Sequence, residues 1–127
     1  MQKYKRPKDS PHVRLYFALL DSPAWRALPD SAKIILIECL REWRGRDDNS
    51  FKLPYETIKE RLGLAPATIS RDFLFLNELG FLDLKTPGGL LRRAAIYGLS
   101  DRWKGLKEED CEAAVGRVKS KLARQRE

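Results

Sequence analysis

Thr68, Ser70 and Arg71 follow closely on Pro66, and together with Ala67 they are the side chains best placed to touch another molecule. The helical spacing of Ile69, Phe73 and Leu76 turns those three residues inward. Ala67, Thr68, Ser70 and Arg71 are then left on the exposed first turns. An arginine there can form a two-pronged hydrogen bond to guanine, and Thr or Ser can bond a base or a phosphate. An alanine can touch a thymine methyl. A helix inserted in a groove contacts base edges mainly with its N-terminal residues, and its N-terminus favours a phosphate. The competing reading makes Ser70 and Arg71 plain polar surface. Five further residues join the candidate set. Lys85, Arg92 and Arg93 lie at or near the tip of a hairpin, and Lys52 points outward from a short strand. Thr57 can meet a phosphate from the preceding helix.

The elements that must hold these residues are marked by proline and glycine. Tyr55–Leu62 reads as a short helix that stops at Gly63-Leu64-Ala65. Pro66 starts a second helix, Ala67–Leu79, which Gly80 closes; proline suits the first turn and glycine the position past the end. With Ile58, Leu62, Leu64, Ile69, Phe73 and Leu76 sharing one small core, the spacing predicts a helix-turn-helix. Phe81–Lys85 and Ala94–Leu99 flank Thr86-Pro87-Gly88-Gly89 and predict a hairpin. Phe51-Lys52-Leu53 alternates as a short strand able to join that hairpin.

Upstream, Val13–Leu20 and Ala24–Leu28 read as two short helices, the second capped by Asp21-Ser22-Pro23. Trp25 is expected to pack on the core. A longer helix from Pro29-Asp30-Ser31 to Trp43 carries Ile34, Ile35, Leu36, Ile37 and Leu40, and burial on nearly all sides is expected for it. Phe73-Leu74-Phe75-Leu76 is apolar all round, so something beyond three helices must cover Leu74 or Phe75: the N-terminal helix or a second subunit. From Glu108 the tail reads as a helix with acids first and cations last, matching the helix dipole. Its seam of Cys111, Val115, Val118 and Leu122 is expected either to pair with a second copy or to pack on its own domain.

The segment GLAPATISRDFLFLNELGFL resembles the turn, second helix and wing of winged-helix DNA-binding domains. Adding LLDSPAWRALPDSAKIILIECL, FKLPYETIKERLGL and RRAAIYGLS, the likeness extends over roughly Val13–Ser100. With these segments the chain resembles small winged-helix proteins of bacterial phages, plasmids and integrated elements. The resemblance implies a mainly α fold with a small antiparallel β wing (α+β). It also implies binding of double-stranded DNA, in transcription regulation or in replication or maintenance of a mobile element. A winged helix that binds protein within a larger assembly is the alternative.

Composition agrees with a globular chain. At 127 residues it is long enough for one domain with a core, divided here into a basic arm (1–11), a winged-helix domain (12–100) and a C-terminal helix (101–127). The net charge of +7 is uneven: residues 1–29 carry +4, whereas residues 30–80 carry −1. A polyanion would be held mainly by the arm, wing and tail. Cys39 and Cys111 are isolated, and His12 is the only histidine, so neither a disulfide framework nor a metal site is expected. No phosphate loop, paired-histidine motif or nucleophile elbow is present. The expectations are a non-enzymatic cytoplasmic protein with no cofactor and no small-molecule ligand. It has no membrane segment, and a homodimer through the C-terminal helix is possible.

Overall fold

The computed structural model describes residues 11–43, 48–88 and 94–125. Helix α1 (Phe17–Leu20) and helix α2 (Pro23–Ala27) are joined by two residues, Asp21 and Ser22. The Ser22 hydroxyl donates to the Leu19 carbonyl at 2.7 Å and accepts the Trp25 N–H at 3.1 Å, ending one helix and capping the next. The expected helix from Val13 shrinks to Phe17–Leu20: Arg14, Leu15 and Tyr16 are exposed, and without a buried face a short helix does not repay its nucleation. Trp25 is half-buried against the core, with the Lys33 ammonium over its ring.

Helix α3 (Asp30–Trp43) buries Ala32, Ile35, Leu36 and Cys39. Ile34 remains exposed, which corrects the expected burial on nearly all sides. The reason is that α3 meets its neighbours along one face. These are helix α5 (Pro66–Glu78), strand β1 (Phe51–Lys52) and strand β3 (Ile96–Leu99). Helix α4 (Tyr55–Leu62) ends at Gly63, whose φ of 68° lies where only glycine is unstrained. That turn sets α5 against α4. Arg61 of α4 reaches Glu38 and Glu42 of α3 at 2.9 and 3.2 Å, tying the two helices together at the surface.

Strand β2 (Leu82–Thr86) and β1 both pair antiparallel to β3, giving the order β1-β3-β2. The fold is thus mainly helical with a small antiparallel β wing, and its order is helix, strand, helix, turn, helix, hairpin. Phe51 lies opposite Tyr97, and Leu84 flanks Tyr97 on the other side. This places an aromatic row against α5: Tyr97 stacks on Phe73 at 4.8 Å and Phe73 on Tyr55 at 5.6 Å. Beyond β1 the sheet is continued by a side chain. The Asn49 amide donates to the Leu99 carbonyl and accepts the Leu99 N–H, both at 2.9 Å.

Helix α6 (Glu108–Gln125) lies against α5 and α2, with Cys111, Ala114 and Val118 buried. It supplies the cover that the apolar Phe73–Leu76 run requires, in the same chain. The seam set out for pairing with a second copy is therefore turned inward. Glu78 of α5 accepts from Arg117 at 2.8 Å and from Lys121, fastening the two helices. The hydrogen bond from Lys121, opposed by burial and helped by Arg117, holds the Glu78 carboxyl below its usual range.

Two outcomes follow for stability. Val118→Asp puts a charge where the side chain has 0% exposure and should lower the unfolding free energy by about 3 kcal/mol or more in urea titrations. At exposed Lys119 the same change should stay within about 0.5 kcal/mol. Because the folded Glu78 pKa lies below its unfolded value, its contribution is present above pH 4.5 and is lost as pH falls through the folded pKa. The urea midpoint should therefore drop in acid, and Glu78→Gln should make that drop shallower.

Candidate nucleic-acid interface

Helix α5 is where the candidate residues gather, and most of its surface is covered. Ile69, Asp72, Phe73, Phe75 and Leu76 are buried by α3, α6 and the sheet. Pro66 and Ala67 are exposed, and Thr68, Ser70 and Arg71 are half-exposed. The open part of α5 is its N-terminal end, as the spacing predicts. Pro66 at the first position carries no N–H, and no side chain caps the helix from Ala65. The first intrahelical bond goes from the Ile69 N–H to the Ala65 carbonyl. The Ala67 and Thr68 N–H groups therefore precede the hydrogen-bonded ladder.

The ends of the other long helices differ. The first turns of α3, α4 and α6 carry Asp30, Glu56 and Glu108-Glu109-Asp110, whereas the first turn of α5 carries no acid. An acid in that place offsets the positive end of the helix dipole by about 0.3–1 kcal/mol. At α5 that positive end is left to the surroundings.

Arg71 is held where a simple surface cation would not be. Its Nε and Nη2 donate to Asp72 Oδ1 at 3.1 and 3.0 Å, and Nη2 donates also to Ser31 Oγ at 3.2 Å. Asp72 has 0% exposure, and its Oδ2 has no hydrogen-bond partner among the described residues. Arg71 is therefore not the unencumbered guanine reader of the sequence analysis, because its charge already balances a buried carboxylate. Asp72 and Ser31 were missed. The signal for Asp72 lay in the spacing that identified its neighbours: position 72 is three after Ile69 and four before Leu76, on the inward face.

The wing residues fall into two sets. Lys52 is exposed on β1 and makes no ion pair among the described residues. Lys85 is tied down, its Nζ donating to the Asp48 carbonyl at 3.1 Å and to Ser50 Oγ at 3.2 Å. A bulge between Leu84 and Thr86 redirects it. It crosses the sheet at Gly98, where a Cβ would lie 2.7 Å from Lys85 Cε and 2.7 Å from the Asn49 carbonyl oxygen, and it is the backbone oxygen that leaves room only for glycine. Lys85 thus reaches the loop before β1, the strand that carries Lys52. Thr57 is half-exposed on α4. Arg92 and Arg93, like the arm at residues 1–10, lie outside the described residues.

The thiols belong to the core. Burial pushes the Cys39 and Cys111 pKa values up, which suppresses the thiolates needed for nucleophilic chemistry. Among the described residues no helix is long and apolar enough to cross a membrane. Comparison with protein-family models, with curated proteins and with solved structures finds no match for this chain.

Removing Arg71 should harm the fold before any ligand is considered. Arg71→Ala leaves the buried Asp72 uncompensated and should cost about 3 kcal/mol in urea unfolding. Adding Asp72→Asn should recover most of that loss, since no buried charge then remains. A double-mutant cycle on the two changes measures the coupling.

Proposed function

We propose that this chain binds double-stranded DNA without catalysis, as a bacterial winged helix-turn-helix protein of the cytoplasm. Its role would be in transcription regulation or in the replication or maintenance of a mobile element. The mobile-element part rests on the resemblance of the segments from Val13 to Ser100. One observation carries the DNA reading: the exposed N-terminus of α5, which has neither a side-chain cap nor an acid in its first turn. Such an end offers N–H groups and positive potential to a phosphate. The adjacent Ala67, Thr68 and Ser70 are short enough to let the helix approach a groove. Lys52, Arg92, Arg93 and the basic arm would add phosphate contacts, which position a protein without reading sequence.

A second reading, a module that binds another protein, is favoured by one feature. Phe17 is 82% exposed and Tyr16 65%, large apolar surfaces of the kind enriched at protein interfaces.

Fluorescence anisotropy with a short random-sequence duplex at several salt concentrations separates the two readings. DNA binding should weaken on a straight line in log–log form, with a slope of about 0.9 per phosphate contact. Ala67→Glu should act in opposite senses on folding and binding. It should stabilise the helix by about 0.3–1 kcal/mol and weaken duplex binding by about tenfold, or about 1.4 kcal/mol. Absence of binding at low salt would leave the protein-interaction reading.

A further inference from the structure

The contact between Arg71 and Asp72 has a direction. The carboxylate is fixed in the core with 0% exposure, while the guanidinium is half-exposed at the open end of α5. Of the two, only the arginine can turn. A guanidinium has five N–H groups in a planar fork. Nε spends its one on Asp72 Oδ1, and Nη2 spends its two on Asp72 Oδ1 and Ser31 Oγ. Nη1 has no hydrogen bond among the described residues. A two-pronged grip on guanine needs two neighbouring nitrogens on one free edge. Here the Nε–Nη2 edge is turned inward, and the Nη1–Nη2 edge has lost its Nη2 donor to Ser31.

We propose that Asp72 is a positioning residue for DNA recognition, holding Arg71 so that α5 offers a duplex the single nitrogen Nη1 and no two-pronged fork. This inference rests on the DNA-binding reading above and adds to it how the recognition helix is set. Arg71 then presents only the two N–H groups of that one nitrogen, at a place determined by α3 through Ser31 as well as by α5. The Asp72 charge also lowers the attraction of this end of α5 for phosphates, so that the arginine acts locally and does not slide along the backbone. Apart from Arg71, Asp72 has no ion-pair partner among the described residues, and the buried carboxylate holds it correspondingly firmly.

The test uses the full chain, with anisotropy titrations on a random-sequence duplex over a range of salt and selection of bound sequences from a random pool. Asp72→Asn keeps the side-chain shape and removes the charge that holds Arg71. It should bind the random duplex several-fold more tightly, steepen the salt slope by about 0.9 as one more phosphate contact forms, and erase preference at one base position in the selected pool. Arg71→Ala added to Asp72→Asn should return the slope to that of the parent. Ser31→Ala, on the half-buried start of α3, should move slope and preference in the same direction by a smaller step, and it serves as the test if Asp72→Asn fails to fold. A folded variant with unchanged slope and unchanged selected sequences overturns the proposal and makes Asp72 a structural counter-charge alone. If the parent chain binds no duplex at any salt concentration, the DNA-binding reading falls and this inference with it. Parent binding with unaltered variants defeats only the positioning role.

Discussion

The burial of Phe73, Phe75, Leu76 and Leu79 along one helix governs the arrangement of the rest. Spaced three and four apart, these side chains spread over a wide arc of the helix and its end, and burying each is worth about 1.5–3 kcal/mol. No single neighbour can cover them all. The sheet meets Phe73 through Tyr97, α3 packs on a further side, and α6 closes the remainder with Val118 and Ala114. A helix surrounded in this way has one free end, and that end is its N-terminus. Any contact α5 makes with another molecule is accordingly end-on, limited to its first turns.

That enclosure also explains what was legible in the sequence. The elements from Asp30 to Leu99 follow from local signals: proline and glycine at helix ends, period-four apolar residues, and a glycine turn between extended runs. Tyr55–Leu62 has its predicted bounds, and α5 is displaced by a single residue at each end. The errors arise where a long-range partner decides. Val13–Tyr16 is apolar enough for a helix but packs little of its surface on the core. Ile34 looks like core but faces away from every neighbour of α3. The docking of α6 could not be chosen from its seam alone, since Cys111, Val115, Val118 and Leu122 fit a second copy as well as they fit α5. In the fold α6 packs on α5 and α2 of its own chain, where Glu78 also binds Arg117 and Lys121 across the helix interface.

At the candidate site the same limit appears as chemistry. Residue types identified Arg71 as the cation on the first turns of α5, and its place is as expected. Its availability is not, because that depends on Asp72 next to it and on Ser31 far away in the chain. Lys85 repeats the pattern. Its position on the hairpin was legible, whereas its engagement with the loop before β1 needed the bulge after Leu84 and the bare backbone at Gly98. Both cations were read as candidate DNA contacts, and both also hold groups of their own chain.

This bears on where binding strength and sequence reading would reside. Arg61, Arg102, Arg117 and Lys121 are all committed to carboxylates of their own chain, which makes these four less available to a polyanion. The cations not so committed include Lys52 and those that the sequence places in the arm and near the hairpin tip, namely Lys3, Lys5, Arg6, Lys8, Arg92 and Arg93. On the proposed reading the two tasks separate. The extensions supply a salt-sensitive, sequence-independent grip, and the end of α5 supplies a weak but oriented probe of the groove. Neutralising Arg71 with Asp72 suits that separation, since a fully charged arginine at the helix tip would add to the grip on every sequence and so dilute the difference between sites. An interface organised in this way gains its discrimination from the geometry of a few short side chains, and its affinity from charges carried elsewhere on the chain.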